Sequence, residues 1–121
     1  MPLHSAGLKF SCARISALRA GDLARGAELV ARAQALGDSA IPDERVERVT
    51  AAALLALTRG DAKGALRTLR AVRDEAARDD LDGLSLRIRA QYYGVASEAH
   101  EALGQPAEAL AALRGWQQLA R

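Results

Sequence analysis

Three aspartates in the second half of the chain are the residues best suited to bind a metal ion. Asp79, Asp80 and Asp82 stand together just before a glycine, an arrangement typical of calcium-binding loops. The twelfth position from Asp80 is Gln91, where such a loop needs a bidentate glutamate, and the residues between them are largely apolar or basic. We therefore expect a solvated loop here and no metal site.

The sequence contains no pattern typical of an activated nucleophile, a glycine-rich phosphate loop or a zinc-dependent protease. Its two histidines, His4 and His100, are far apart in the sequence. His100 stands in the middle of a helical pattern, where we expect it to fill a gap between helices. The alternative is a pH sensor or a ligand contact. We expect neither enzymatic activity nor a cofactor.

A row of basic residues offers a second kind of chemistry, the binding of phosphate groups. Lys63, Arg67 and Arg70 recur at helical spacing. Asp74 and Glu75 interrupt the row, and the chain as a whole interleaves 17 basic with 15 acidic residues for a net charge of +2. Because nucleic-acid binding favours an uninterrupted basic patch, we interpret the row as a solvated outer face.

Several features of the sequence bear on where the protein is found. Cys12 is the only cysteine, so no internal disulfide can form, which fits a reducing cytoplasm. The first ten residues lack the apolar stretch of a secretion signal. The longest apolar run, from Ala51 to Leu57, is far too short to span a membrane. We therefore predict a cytoplasmic protein that does not associate with membranes.

The elements that would position these residues are helices, and the predicted fold class is all-α. Half of the residues are hydrophobic, with Ala and Leu dominant, and no alternating apolar pattern indicates a strand. Glycines at 21, 60 and 104 each end one helical pattern directly before another begins. The expected result is one domain, 1–121, of six helices in three stacked antiparallel hairpins, at about 8–36, 43–78 and 84–120. The chain ends abruptly in the sixth helix, so we expect either a fragment of a larger protein or a C-terminal face that something else covers.

The residues around these turns repeat. The turn glycines are separated by 39 and then 44 residues, and a small residue follows each glycine after five positions: Gly26, Ala65 and Ala109. In this pattern, seen best in Gly60-Asp61-Ala62-Lys63-Gly64-Ala65-Leu66 and in Leu103-Gly104-Gln105-Pro106-Ala107-Glu108-Ala109-Leu110, the chain resembles the tetratricopeptide repeat family. The standard repeat has about 34 residues. The longer units resemble the long-repeat variant of bacterial signalling and transcription regulators.

The resemblance implies an α-solenoid whose first helix in each hairpin lines a concave groove. That groove would be apolar in the first two repeats and acidic in the third, and it would suit an amphipathic helix or an apolar peptide with a basic end. The alternative is that leucines such as Leu54 and Leu57 pack against neighbouring helices. The groove residues implied are Leu8, Ser11, Ile15, Leu18, Arg19, Glu47, Thr50, Leu54, Leu57, Thr58, Gln91, Glu98 and Glu101.

The aromatic residues of the last hairpin suggest a second surface. The last predicted hairpin contains Tyr92, Tyr93 and Trp116. Their rings would form a docking face for a further helix or for a second copy in a homodimer. We predict a non-enzymatic module that binds a protein or peptide as the interaction or sensing part of a bacterial regulatory protein. A small-molecule-sensing domain is the alternative, and an α-solenoid that binds nucleic acid is a weaker one.

Overall fold

The structure, a computed structural model, describes residues 14–120, which are helical with short connections and contain no strand. The described part of α1 covers residues 14–19. It is followed by α2 (Leu23–Ala35), α3 (Pro42–Thr58), α4 (Ala62–Leu69), a 3-10 turn (Arg70–Val72), α5 (Arg73–Ala76), α6 (Gly83–Ala102) and α7 (Pro106–Leu119). The predicted all-α class is confirmed for these residues. Within this range, every helix is too short or too polar to cross a membrane.

The three glycine turns share one geometry. Gly21, Gly60 and Gly104 have φ angles of +83°, +84° and +70°, in the left-handed region that glycine adopts without steric cost. At the second turn, Gly60 N–H donates to the carbonyl of Leu57 at 3.0 Å, and Asp61 N–H donates to that of Ala56 at 2.9 Å. This pair of bonds is the Schellman motif, and the other two turns repeat it. The helix ends are therefore fixed by local backbone chemistry.

A matched pair of glycine substitutions tests this account. Gly60→Ala is expected to cost about 1–2 kcal/mol, because a Cβ atom there meets no neighbour and the cost is the left-handed backbone alone. Gly94→Ala, at an ordinary helical position of α6 with equally free space, is expected to stabilise the protein by up to about 1 kcal/mol. Thermal unfolding of both variants measures the difference, and equal shifts would contradict the role of the turn.

Helix α3 lies at the centre of the molecule. It packs against α2, α4 and α6, and α6 also packs against α4 and α7. Val46, Ala51 and Ala53 of α3 have no exposed surface, and Leu54 is 2% exposed. At the first turn, Gly26 of α2 lies so close to α1 that a Cβ atom would overlap the Leu18 side chain. The small residues let the helices approach closely around α3.

Two ion pairs, each with a deeply buried arginine, join α1 and α6 to α3. Arg14 of α1 pairs with Glu47 of α3, and both side chains are buried. Arg89 of α6, which has no exposed side-chain surface, donates to Asp43 at 2.6 Å and to the carbonyl oxygen of Glu75 at 3.0 Å. Burial of these charges is tolerated because each has an opposite charge in contact with it.

The fourth predicted helix is interrupted. The sequence pattern predicted one helix to about Arg78, whereas the structure ends α4 at Leu69 and inserts the 3-10 turn before α5. Side chains of α6 approach the carbonyl oxygens in and beside this break: the Tyr92 hydroxyl lies 3.4 Å from Leu69 O, and the Tyr93 hydroxyl 3.4 Å from Ala76 O. Because these donors come from a distant part of the chain, helical periodicity could not indicate the break.

Candidate functional site

The groove implied by the family resemblance is largely filled in this structure. Ile15, Leu18 and Leu54 are between 2% and 6% exposed, and two polar residues of α3, Glu47 and Thr50, are at most 1% exposed. A side chain this deeply buried cannot touch a partner that docks on the surface. We therefore assign these five residues to the core and remove them from the candidate surface. Two further groove residues, Leu8 and Ser11, lie outside the described residues.

Two of the remaining groove residues form an ion pair between α1 and α6. Arg19 Nη1 of α1 lies 2.7 Å from both carboxylate oxygens of Glu98 in α6, across 79 positions of sequence. The two side chains are each 43% exposed, so the pair lies at the surface. A ligand of either residue would have to compete with this contact.

The remaining groove residues do not form one surface of common chemistry. Leu57 is half-buried and packs against the core, while Thr58 is exposed and donates its hydroxyl to the carbonyl of Leu55 at 2.7 Å. On α6, Gln91 is half-buried and Glu101 is exposed. The structure therefore gives these residues no shared cleft by which to recognise a partner.

The aromatic residues divide between interior and surface. Tyr92 is 7% exposed and packs edge-on against the ring of Tyr93, with the ring centres 5.0 Å apart. Tyr93 is half-buried against Gly115 of α7, and Trp116 is also half-buried. Tyr92 consequently belongs to the core rather than to a docking face. Two leucines contribute the exposed apolar surface of α7 instead: Leu110, which is 48% exposed, and Leu113, which is 42% exposed.

Burial of Tyr92 makes the free energy of unfolding depend on pH in the alkaline range. Burial raises the pKa of its hydroxyl to about 12, whereas the unfolded chain ionises near the ordinary value of 10. Between these values the unfolded state holds fewer protons, so the stabilisation, fully present below pH 10, is lost as the pH rises toward 12. We expect the free energy of unfolding to fall by up to about 1.4 kcal/mol per pH unit from this group.

Urea unfolding near pH 9 and near pH 11 measures this effect. Tyr92→Phe is the matched control, because it keeps the ring and removes the ionisable group. A fall of the same size in wild type and Tyr92→Phe would show that Tyr92 is not its source. Tyr93, whose pKa is also raised by burial, is present in both proteins, so we expect a smaller fall in Tyr92→Phe and not its complete loss.

One side of α3 faces a cleft between α2 and α4. A surface cavity of about 340 Å³ lies toward the Arg45 end of α3, and one of about 360 Å³ lies toward the Arg59 end. The two cavities share four lining residues and therefore adjoin. We call them together the α2–α4 cleft. Its lining is Ala27, Val30, Ala31, Ala33, Gln34, Gly37, Asp38, Arg45, Arg48, Val49, Ala52, Leu55, Ala56, Arg59 and Thr68.

The α2–α4 cleft has an apolar middle and basic ends. Ala52 and Ala56 of α3 are small, half-buried residues that leave open space above the helix. At one end, Arg45 forms ion pairs with Asp38 at 3.4 Å and with Glu75 at 3.5 Å, so its charge is offset within the protein.

The other two arginines differ in their availability. Arg48 Nη1 donates to the carbonyl of Gly37 at 3.1 Å, whereas Arg59 is exposed and has no ion pair within residues 14–120. An apolar ligand with a negative charge near one end matches this distribution.

Polar and apolar groups beside the cleft are also available for contact. Gln34 is exposed, and its side chain makes no hydrogen bond within the described residues. Leu36, which directly follows α2, is 75% exposed, the largest exposed fraction among the large hydrophobic side chains described. Ile41, at the other end of the same connection, is 44% exposed. Leu36 and Ile41 therefore add exposed apolar surface to the connection between α2 and α3.

The acidic loop between α5 and α6 is occupied by structural contacts. Asp80 pairs with Arg78 at 3.2 Å, and this hydrogen bond lowers the pKa of the Asp80 carboxyl. Asp82 caps α6 by accepting from the Ser85 N–H at 2.8 Å, which likewise lowers its pKa. Among residues 14–120, no group of three or more His, Cys, Asp or Glu side chains is arranged to hold a metal ion.

Sequence reasoning missed the α2–α4 cleft, although part of its signal was present. Arg45, Val49, Ala52, Ala56 and Arg59 recur every three or four positions, so they form a stripe of small apolar residues with an arginine at each end. The stripe could not show that α2 and α4 stand apart above it, because that distance depends on how three helices pack.

Comparison with known proteins adds no relative. No family model matches the chain, and neither the curated proteins nor the solved structures include a significant match to it.

Proposed function

We propose that this chain is a non-enzymatic helical module that binds a short protein segment in the α2–α4 cleft. The observation that carries the proposal is the pair of adjoining cavities along α3, with small apolar residues in the middle and, at one end, the exposed Arg59, which has no ion pair within residues 14–120. A groove of this kind suits an amphipathic helix, whose apolar face buries against the floor while its polar face stays in water. The expected charge of the partner is acidic beside Arg59, in contrast to the basic end expected from the sequence.

The length of the cleft is consistent with such a ligand. From Arg45 to Arg59 the axis of α3 advances about 21 Å, at 1.5 Å per residue. A bound helix of about four turns would cover this distance, with apolar residues at every third or fourth position as anchors. Gln34 supplies hydrogen-bonding capacity at the wall, and Leu36 supplies an apolar contact beyond the end.

The wider assignment rests on the resemblance of the turn motifs to tetratricopeptide repeats. We propose that the hairpins stack as a short α-solenoid of the long-repeat type and that the module is the interaction part of a bacterial regulatory protein. The three repeated Schellman turns and the small residues behind them support this proposal. Ala65 and Ala109 are 0% and 4% exposed, as expected of residues at which neighbouring helices meet closely.

Affinity selection of displayed random peptides tests the binding function. Peptides of about 16 residues enriched on the wild-type protein are expected to carry apolar residues at helical spacing and an acidic residue near one end. Their affinity is then measured by fluorescence polarisation for wild type, for Ala52→Arg and for Ala111→Arg. Ala52→Arg fills the floor of the cleft, and Ala111→Arg places the same side chain on the exposed surface of α7.

The expected result is a loss of at least about tenfold in affinity for Ala52→Arg, equivalent to about 1.4 kcal/mol, and no loss for the control. Arg59→Glu is expected to weaken the acidic peptides, with Arg114→Glu as its matched control on α7. Circular dichroism checks that each variant retains its helices. Peptides that bind Ala52→Arg as well as wild type, or failure to enrich any peptide, would overturn the proposal.

A small-molecule ligand is the second candidate function. The cavity at the Arg45 end, about 340 Å³, lies at the lower limit of the range of about 300–1,000 Å³ seen for such sites. The cleft lies open along its length, which favours a segment of polymer over an enclosed ligand. If peptide selection fails while apolar dyes bind wild type and not Ala52→Arg, the small-molecule function is the one supported.

A further inference from the structure

A second cleft lies on the opposite side of α4, against the turn between α6 and α7. Its volume is about 460 Å³, and it is separate from the α2–α4 cleft, with which it shares no lining residue. Its floor contains two half-buried leucines, Leu66 and Leu103. Its polar lining consists of Lys63, Arg67 and Arg70 on one wall and His100, Gln105 and Glu108 on the other.

The three basic residues on the α4 wall lack an acidic partner. Lys63, Arg67 and Arg70 are exposed, and none of them forms an ion pair within residues 14–120. Their spacing places them on one face of the helix within about 10 Å along its axis. Only Glu108 among the lining residues carries a negative charge. The cleft therefore holds an excess of positive charge that no contact in the described chain offsets.

The two acidic residues that interrupt the row in the sequence, Asp74 and Glu75, do not line this cleft. After Arg70 the chain turns through the 3-10 segment, and Glu75 on α5 points to Arg45 of α3, with the atoms 3.5 Å apart. The basic row is exposed, as predicted from the sequence, and it also forms one wall of a concave site.

The opposite wall contributes a fixed hydrogen-bonding group. His100 Nδ1 lies 2.9 Å from the Gln105 side-chain oxygen. This hydrogen bond orients both side chains. The Gln105 side-chain amide makes no other hydrogen bond within the described residues, so it can also contact a ligand. An anion in the cleft would therefore meet three cations, an oriented amide and a single carboxylate, that of Glu108.

We propose that this cleft binds a compact polyanion, a small ligand carrying two or more phosphate groups. Two guanidinium groups can each bind a phosphate with paired hydrogen bonds, and the lysine adds a point charge. A chain of phosphates presents several negative charges within the short length of the wall. An extended acidic peptide presents carboxylates on one face only about every 7 Å, so fewer of them would reach the cations. The only aromatic ring in the lining is the imidazole of His100, which is hydrogen-bonded to Gln105, so the cleft offers no Phe, Tyr or Trp on which a nucleobase could stack.

Isothermal titration calorimetry with inorganic tripolyphosphate, at about 0.15 M salt, tests this proposal. At that ionic strength the Debye length is about 8 Å, which suppresses attraction by distant charges. The double variant R67Q/R70Q removes two cations from the cleft. The control R25Q/R114Q removes two exposed arginines that also lack ion pairs, on α2 and α7. Both double variants change the net charge by the same amount.

The expected result is saturable binding to wild type, a loss of at least about tenfold in R67Q/R70Q and a change within about twofold in R25Q/R114Q. Glutamine has nearly the helix propensity of arginine, so both variants are expected to fold, and circular dichroism verifies this. Equal losses in the two variants would show attraction by net charge alone and overturn the site. Absence of binding, or tighter binding of a hexaglutamate peptide than of tripolyphosphate, would also overturn it. Ala52→Arg changes the α2–α4 cleft and leaves the basic cleft intact. A failure of the polyanion proposal can therefore be distinguished from a failure of the peptide-binding proposal.

Discussion

Leu54→Glu is expected to unfold the protein. Leu54 is 2% exposed in the centre of α3, so the substitution removes the burial of a leucine, worth about 2–5 kcal/mol, and places a carboxylate in the core. A domain of this size is stable by about 5–15 kcal/mol in total, and the combined loss is of that order. Far-UV circular dichroism and thermal unfolding measure the outcome.

Thr58→Glu is the matched control for this prediction. It introduces the same side chain one turn later on α3, at an exposed position, where we expect a change within about 0.5 kcal/mol. On the groove interpretation of the sequence, Leu54→Glu would remove partner binding and leave the helices intact. A folded Leu54→Glu protein with normal helix content would therefore restore that interpretation and contradict the buried position of Leu54.

Arg89→Met is expected to lower the free energy of unfolding by about 3 kcal/mol. Arg89 has no exposed side-chain surface, and its replacement removes the donors to Asp43 and to the carbonyl of Glu75. Removing one member of a buried ion pair typically costs about 3–5 kcal/mol, because the other charge is left without compensation. Asp43 is 28% exposed, so water can partly hydrate it, which places the expected cost at the lower end.

Urea unfolding of Arg89→Met beside Arg87→Met provides the comparison. Arg87 is exposed on the same helix and has no ion pair in the described chain, so we expect its replacement to change stability by no more than about 0.5 kcal/mol. The double variant D43N/R89M, in which the remaining partner is neutral, is expected to recover part of the loss. Equal effects of the two arginine substitutions would show that Arg89 does not anchor α6 to α3.

The sequence predicted the helical class and the turns because these depend on neighbours along the chain. A glycine with positive φ ends a helix at its own position, and Asp22 and Asp61 cap the next helices through backbone N–H groups three residues away. The same local pattern identified Gly26, Ala65 and Ala109 as small residues at helix contacts, and the structure buries all three. No distant part of the chain is needed to explain any of these features.

The sequence did not predict which face of α3 is covered. Apolar residues lie on almost every side of this helix, so their periodicity does not single out one buried face. The groove residues were placed by resemblance, and five of them are buried in the structure. Likewise, the break after α4 lies beside donors on α6 that are about 20 residues further along the chain, and local periodicity does not indicate them.

Local chemistry thus determined the helices and their ends, because each depends on backbone bonds within a few positions. Only the tertiary structure decided which residues are buried between helices and which surfaces stay open. The α2–α4 cleft lies over the small residues of α3, and the basic cleft lies between α4 and the turn that joins α6 to α7. Both clefts depend on contacts between residues far apart in sequence, whose geometry no local pattern specifies.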